Sequence, residues 1–135
     1  SGAGLGCGGF GGKRLRRVDE IGINREIVIS MLAETGVEID SAETGRQAID
    51  MFRNNPERYD LILMDIHMPE MDGYEATREI RASGNERAQA VPIIAMTANV
   101  FKEDIDRSIE AGMDDHVGKP LDMEVLMRKL RFYLG

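Results

Sequence analysis

Five side chains in this sequence stand where a strand-like run ends, and their chemical groups suit one another. Asp19 and Glu20 follow "LRRV", Asp65 closes the run "LILM", Thr97 follows "VPIIAM" and Lys119 follows "DHVG". Three carboxylates brought to one place repel each other unless a cation sits among them. Hard oxygen donors of this kind suit Mg2+, with Mn2+ as the alternative, and Mg2+ keeps several waters beside its few carboxylate ligands. Those open positions can take a phosphate oxygen. The Thr97 hydroxyl can donate to a second oxygen, and the Lys119 ammonium can pair with another as a point charge. Asp65 then serves as a nucleophile that forms an acyl phosphate. Phosphoryl transfer asks mainly for positioning and charge neutralisation, and this set supplies both.

Such a set works only if the fold delivers each residue to the same edge. "LILM" (61–64) and "VPIIAM" (91–96) are continuous apolar runs, the pattern of strands covered on both faces. "LRRV" (15–18), the alternating "VEIDSA" (37–42) and the short "DHVG" (115–118) add three more strands. Between them lie helical patterns at 23–36, 44–55 (with Ala48, Ile49 and Phe52 on one side) and about 74–82. Two more follow: a helix lined by Phe101, Ile105 and Ile109 that ends near "AGM", and 121–134 with Leu121, Val125 and Leu130 inward. Five strands alternating with five helices predict a doubly wound α/β fold with helices on both faces of a parallel sheet. Right-handed crossovers place every strand's C-terminal end on one edge, where such sheets carry their sites.

The 135 residues suffice for one domain. Residues 1–12, "SGAGLGCGGFGG", read as a flexible leader or linker, which leaves 13–135 as the domain. The chain opens on Ser1, which predicts a processed or excised piece of something longer. No run approaches a membrane span, so no membrane contact is expected. The single cysteine, Cys7, suits a reducing, cytoplasmic compartment. Lys and Arg number 17 against 24 Asp and Glu, a net charge of −7, which argues against nucleic acid as the main partner.

The segments "VDE" (18–20), "LILMDIHMPEMDG" (61–73), "VPIIAMTA" (91–98) and "DDHVGKP" (114–120), in this order, resemble the receiver domain of two-component response regulators. The similarity is greatest to receivers carried by hybrid sensor histidine kinases. It implies a flavodoxin-like five-stranded sheet of order 2-1-3-4-5 over about Lys13 to Leu134. It further implies that Asp65 is the phosphoacceptor, that Asp19 and Glu20 bind Mg2+ with it, and that Thr97 and Lys119 contact the phosphoryl group and report its presence. His67, Ala98 and Asn99 fall where receivers tune the phosphoryl site, and His116 where many carry a switching aromatic. The Lys119–Pro120 bond is expected to be cis. The implied partner is a histidine kinase or a histidine phosphotransfer domain, with self-association as a further expectation.

Two features depart from that pattern. Glu20 stands where receivers usually have a second aspartate, and its extra methylene shifts the carboxylate. Arg16 and Arg17 lie in a strand that is central and aliphatic in the family, which predicts a poorly anchored first strand; the alternatives are arginines that snorkel from its start, a strand displaced or exchanged between chains, or an altered N-terminal stretch. These departures support one competing function, a degenerate receiver that binds proteins without phosphorylation. A turnover aspartyl-phosphate phosphatase would need an acid/base residue and a cap, and no insertion large enough for a cap exists.

Overall fold

The computed structural model describes residues 14–18, 38–42, 44–67, 71–98, 101–118 and 122–134, the first two segments as backbone. Its strands are β1 (Arg14–Val18), β2 (Glu38–Ala42), β3 (Leu61–Asp65), β4 (Ile93–Thr97) and β5 (Asp115–Gly118). Its helices are α1 (Gly45–Asn54), α2 (Gly73–Arg81), α3 (Glu86–Ala90), α4 (Lys102–Ala111) and α5 (Met123–Leu134), with a 3-10 turn at Pro56–Arg58. Every strand pairing is parallel: β1 lies between β2 and β3, β3 pairs with β4, and β4 with β5. The helix expected at 23–36 lies outside the described residues.

The two continuous apolar runs behave as their composition demands. All five residues of β3 and all five of β4 are buried. Successive residues feed opposite layers, because strand side chains alternate. Ile62, Met64, Ile93 and Ala95 pack with Ala48, Ile49 and Phe52 of α1 and Tyr74, Ala76 and Ile80 of α2. Leu61, Leu63, Ile94 and Met96 pack with Leu126, Met127, Leu130 and Leu134 of α5.

Local signals set the helix starts. The Thr44 hydroxyl accepts from the Gln47 amide (3.1 Å) to open α1, and the Asp72 carboxylate accepts from the Glu75 amide (2.9 Å) to open α2. Asn85 caps α3 in the same way, accepting from the Arg87 amide at 2.7 Å. That five-residue helix is absent from the sequence expectation, although Asn85 was its visible start signal. Gly112 closes α4 in the left-handed region (φ 105°).

Two expectations need correction. Of the stripe Phe101, Ile105 and Ile109, only the half-buried Ile105 packs inward to any extent: Phe101 precedes the helix, Phe101 and Ile109 are each 65% exposed, and the buried residues of α4 are Ser108 and Ala111. In α5, by contrast, Leu130 is buried as expected and Val125 packs half-buried against the same core, beside Leu126, Met127 and Leu134, while Leu121 lies outside the described residues. β1 is not displaced. Its backbone pairs along both edges, Arg16 in register with Asp40 and Ile62, and Arg17 with Ser41 and Leu63.

Thr77 on α2 is fully buried, and its hydroxyl has no hydrogen-bond partner. A buried hydroxyl without a partner carries its full desolvation cost. Thr77→Val, which replaces the hydroxyl by a methyl of similar size, is expected to stabilise the fold by about 1 kcal/mol. Thermal unfolding would show this as a midpoint raised by roughly 3 °C. Among the described residues no helix is long and apolar enough to cross a membrane.

Candidate functional site

The site edge follows from strand register. Asp65 ends β3 opposite Met96, and Thr97 is the next residue of β4, opposite Gly118 at the end of β5. Val18 ends β1 in register with Met64, one residue before Asp65. The strands therefore leave the sheet together, at the edge that carries Asp65. Asp19, Glu20, Asn99, Lys119 and the Lys119–Pro120 bond lie outside the described residues.

Asp65 is fully buried and Thr97 is 3% exposed. A carboxylate in that position needs fixed donors. The His67 amide supplies one, donating to Asp65 Oδ1 at 3.0 Å, and this bond orients the carboxylate from its own chain. The His67 and Ala98 side chains are exposed at the rim. Asp65 is the one expected metal ligand among the described residues, and these hold no group of three metal-ligating side chains.

Sequence reasoning passed over the residue that sets the back of this site. Gly73 opens α2 with its amide donating to the Ile66 carbonyl at 2.8 Å. A Cβ built there would lie 2.9 Å from Ile66 Cα and 3.0 Å from the Asp65 carbonyl carbon, and closer still to the Asp65 carbonyl oxygen. The first turn of α2 thus rests directly on the backbone of the acid. The glycine in "MDG" stands in the sequence just before the helix expected at about 74–82, but its neighbour across the turn has no mark there.

His116 lies elsewhere. It sits mid-strand in β5 opposite Ala95, half-exposed, and lines a cavity of about 230 Å3 with Ile105, Ile109 and Met113. Beside it, Asp115 fastens β5 to α5. Lys129 Nζ approaches Asp115 Oδ1 at 2.6 Å, and the Tyr133 hydroxyl donates to Oδ2 at 3.2 Å. Burial alone would raise the Asp115 carboxyl. The Lys129 hydrogen bond and charge, with the His116 amide and the Tyr133 hydroxyl, outweigh it and hold the group below the usual carboxylate range. The Tyr133 phenol is pushed up to about 12 by burial and the Asp115 charge.

Comparison with known proteins agrees with this geometry. The family model described as the response regulator receiver domain matches residues 17–131. Probable histidine kinase 4 of Oryza sativa subsp. japonica is 35% identical over 92% of this chain, which corresponds to 14% of that protein. Hybrid signal transduction histidine kinase L of Dictyostelium discoideum is 39% identical over 86% of the chain and 7% of its own length. The chain therefore spans a small part of these relatives. Among solved structures, the receiver domain of a sensor histidine kinase from Pseudomonas aeruginosa PAO1, with magnesium coordinated in its active-site cleft, superposes with a TM-score of 0.82. It is 38% identical, over 92% of this chain and 98% of that one. A receiver domain from Saccharomyces cerevisiae, crystallised with a histidine phosphotransfer signalling protein, gives the same TM-score at 25% identity, over 92% of this chain and 90% of that one.

Proposed function

The chain belongs to the response regulator receiver family of two-component signalling, and on that premise we propose that it accepts a phosphoryl group from a phosphohistidine onto Asp65. An Asp65 carboxylate oxygen bonds to phosphorus as the phosphorus–nitrogen bond of the donor breaks, and the released imidazole takes a proton from solvent. The observation that carries this reading is Asp65 itself: a buried acid at the C-terminal edge of a parallel sheet, aimed by the His67 amide and one strand away from the buried Thr97.

Asp19, Glu20 and Asp65 would hold Mg2+, which supplies charge neutralisation at the transferred group. The magnesium-bound neighbour supports Mg2+ over Mn2+. Thr97 donates to a phosphoryl oxygen and Lys119 pairs with another, while His67, Ala98 and Asn99 govern access to the site and the lifetime of the acyl phosphate. Thr97, Lys119 and His116 couple the charge to the face formed by α4, β5 and α5. The domain occupies 13–135 as a five-stranded flavodoxin-like unit of order 2-1-3-4-5, completed by a helix at 23–36. The partner is a histidine kinase or a histidine phosphotransfer domain, in keeping with the yeast complex, and the whole protein is a hybrid histidine kinase.

Intact mass after incubation with Mg2+ and acetyl phosphate tests the assignment. One phosphoryl group should add, and none should add to Asp65→Asn or without Mg2+. A folded protein that stays unmodified, and does not bind Mg2+ on titration, would instead be a receiver fold used as a phosphorylation-independent binding module.

A further inference from the structure

We infer that Tyr74 is a positioning residue that latches the N-terminal half of α4 to the first turn of α2, and that loading Asp65 loosens the latch. The inference rests on the phosphoacceptor reading and adds a route from the acid to α4 that runs through α2 rather than through Thr97.

The route begins at Gly73, whose lack of a side chain seats α2 on the Asp65 backbone. A shift at the end of β3 must therefore be shared by the start of α2. Tyr74 comes next and is 3% exposed. Its ring lies under the Arg107 guanidinium, 4.5 Å from ring centroid to Cζ. Its hydroxyl points at the Asp104 carbonyl at 3.4 Å, beyond the usual O–H···O range of about 2.5–3.0 Å and so a weak contact. Both partners belong to α4.

The two ends of α4 are held unequally. At its C-terminal end, Arg81 Nε and Nη2 donate to the Gly112 carbonyl at 3.0 and 2.8 Å. Toward its N-terminal end the helix has the long Tyr74 contact and the half-buried Ile105, and the residues it buries fully, Ser108 and Ala111, are small. Phe101 and Ile109, which could have anchored it, stand mostly in solvent. A helix with so little apolar burial opens at low cost. The geometry describes a pivot at Gly112 and a weak catch at Tyr74.

Hydrogen exchange of individual amides tests this in two stages. In the unmodified protein, Tyr74→Phe keeps the ring and removes only the hydroxyl. It should speed exchange at Ile105, Ser108 and Ile109 about fivefold and leave β3 and β4 unchanged. Arg107→Gln, at an exposed position, should act in the same direction. No change, or equal acceleration throughout the sheet, would overturn the latch.

In the second stage Mg2+ and beryllium fluoride are added as a phosphoryl mimic. Wild-type exchange in α4 should rise toward the Tyr74→Phe value, and the variant should show little further rise. If the Asp65, Ile66 and Thr97 amide signals move while α4 exchange stays constant, the coupling is overturned. If those signals do not move, the phosphoacceptor reading fails and the coupling fails with it, whereas the first stage still decides whether Tyr74 holds α4.

Discussion

Gly73→Ala is expected to slow modification of Asp65 by acetyl phosphate about a hundredfold while leaving a protein that still unfolds cooperatively. The added methyl has no soft neighbour to push aside. It meets backbone, at 2.9 Å from Ile66 Cα and against the Asp65 carbonyl group. Either α2 lifts off β3, breaking the bond from the Gly73 amide to the Ile66 carbonyl, or the end of β3 shifts. Forced overpacking of this kind costs about 1–3 kcal/mol. The larger effect falls on chemistry, because a displacement near 1 Å at a reacting group can cost about a hundredfold in rate. Rate of phosphoryl addition by intact mass, beside a thermal melt, checks both parts. A wild-type rate would mean that the Asp65 carboxylate is positioned independently of α2.

Arg81→Ala is expected to cost about 3 kcal/mol or more, because one side chain closes several backbone groups at the edge opposite Asp65. Its guanidinium donates to the Ala88 carbonyl (3.1 Å), the Val91 carbonyl (2.7 Å), the Gly112 carbonyl and Asp114 Oδ2 (2.9 Å). The same Asp114 oxygen accepts from the Ile93 amide at 2.8 Å. Arg81 therefore ties the end of α2 to the approach to β4 and to the turn between α4 and β5. Without it those carbonyls lose their donor in a partly buried setting, and Asp114 loses its counter-charge. The melting midpoint should fall by roughly 10 °C. Arg81→Lys should recover only part of this, since an ammonium cannot reproduce the planar fork. Because the network lies away from Asp65, the surviving folded fraction should still accept a phosphoryl group at the wild-type rate.

The two buried strands were legible because burial on both faces demands an unbroken apolar run, which sequence displays directly. The same logic marked Asp65 and Thr97: a polar residue that interrupts such a run stands at the sheet edge, and parallel topology brings those edges together. Ala48, Ile49 and Phe52 of α1 were legible for a similar reason, since their spacing matches one helical face against a large layer. Periodicity failed for α4. It shows that Phe101, Ile105 and Ile109 share a side, but not whether the sheet has room for that side, and α4 instead turns Ser108 and Ala111 inward. Arg81 was invisible because its partners are mostly backbone carbonyls up to 31 residues away, and a carbonyl has no letter in the sequence.

The sequence by itself determined that Asp65 and Thr97 end two buried strands at one edge of a parallel sheet, since residue type and strand period are local properties. Only the tertiary structure decided that Gly73 must be bare because Asp65 lies behind it, that Tyr74 reaches α4, and that Phe101 and Ile109 of the apolar stripe stand mostly in solvent. Each of these depends on which surface of one element meets which surface of another, and that is settled by packing across the whole fold rather than by any single stretch of chain.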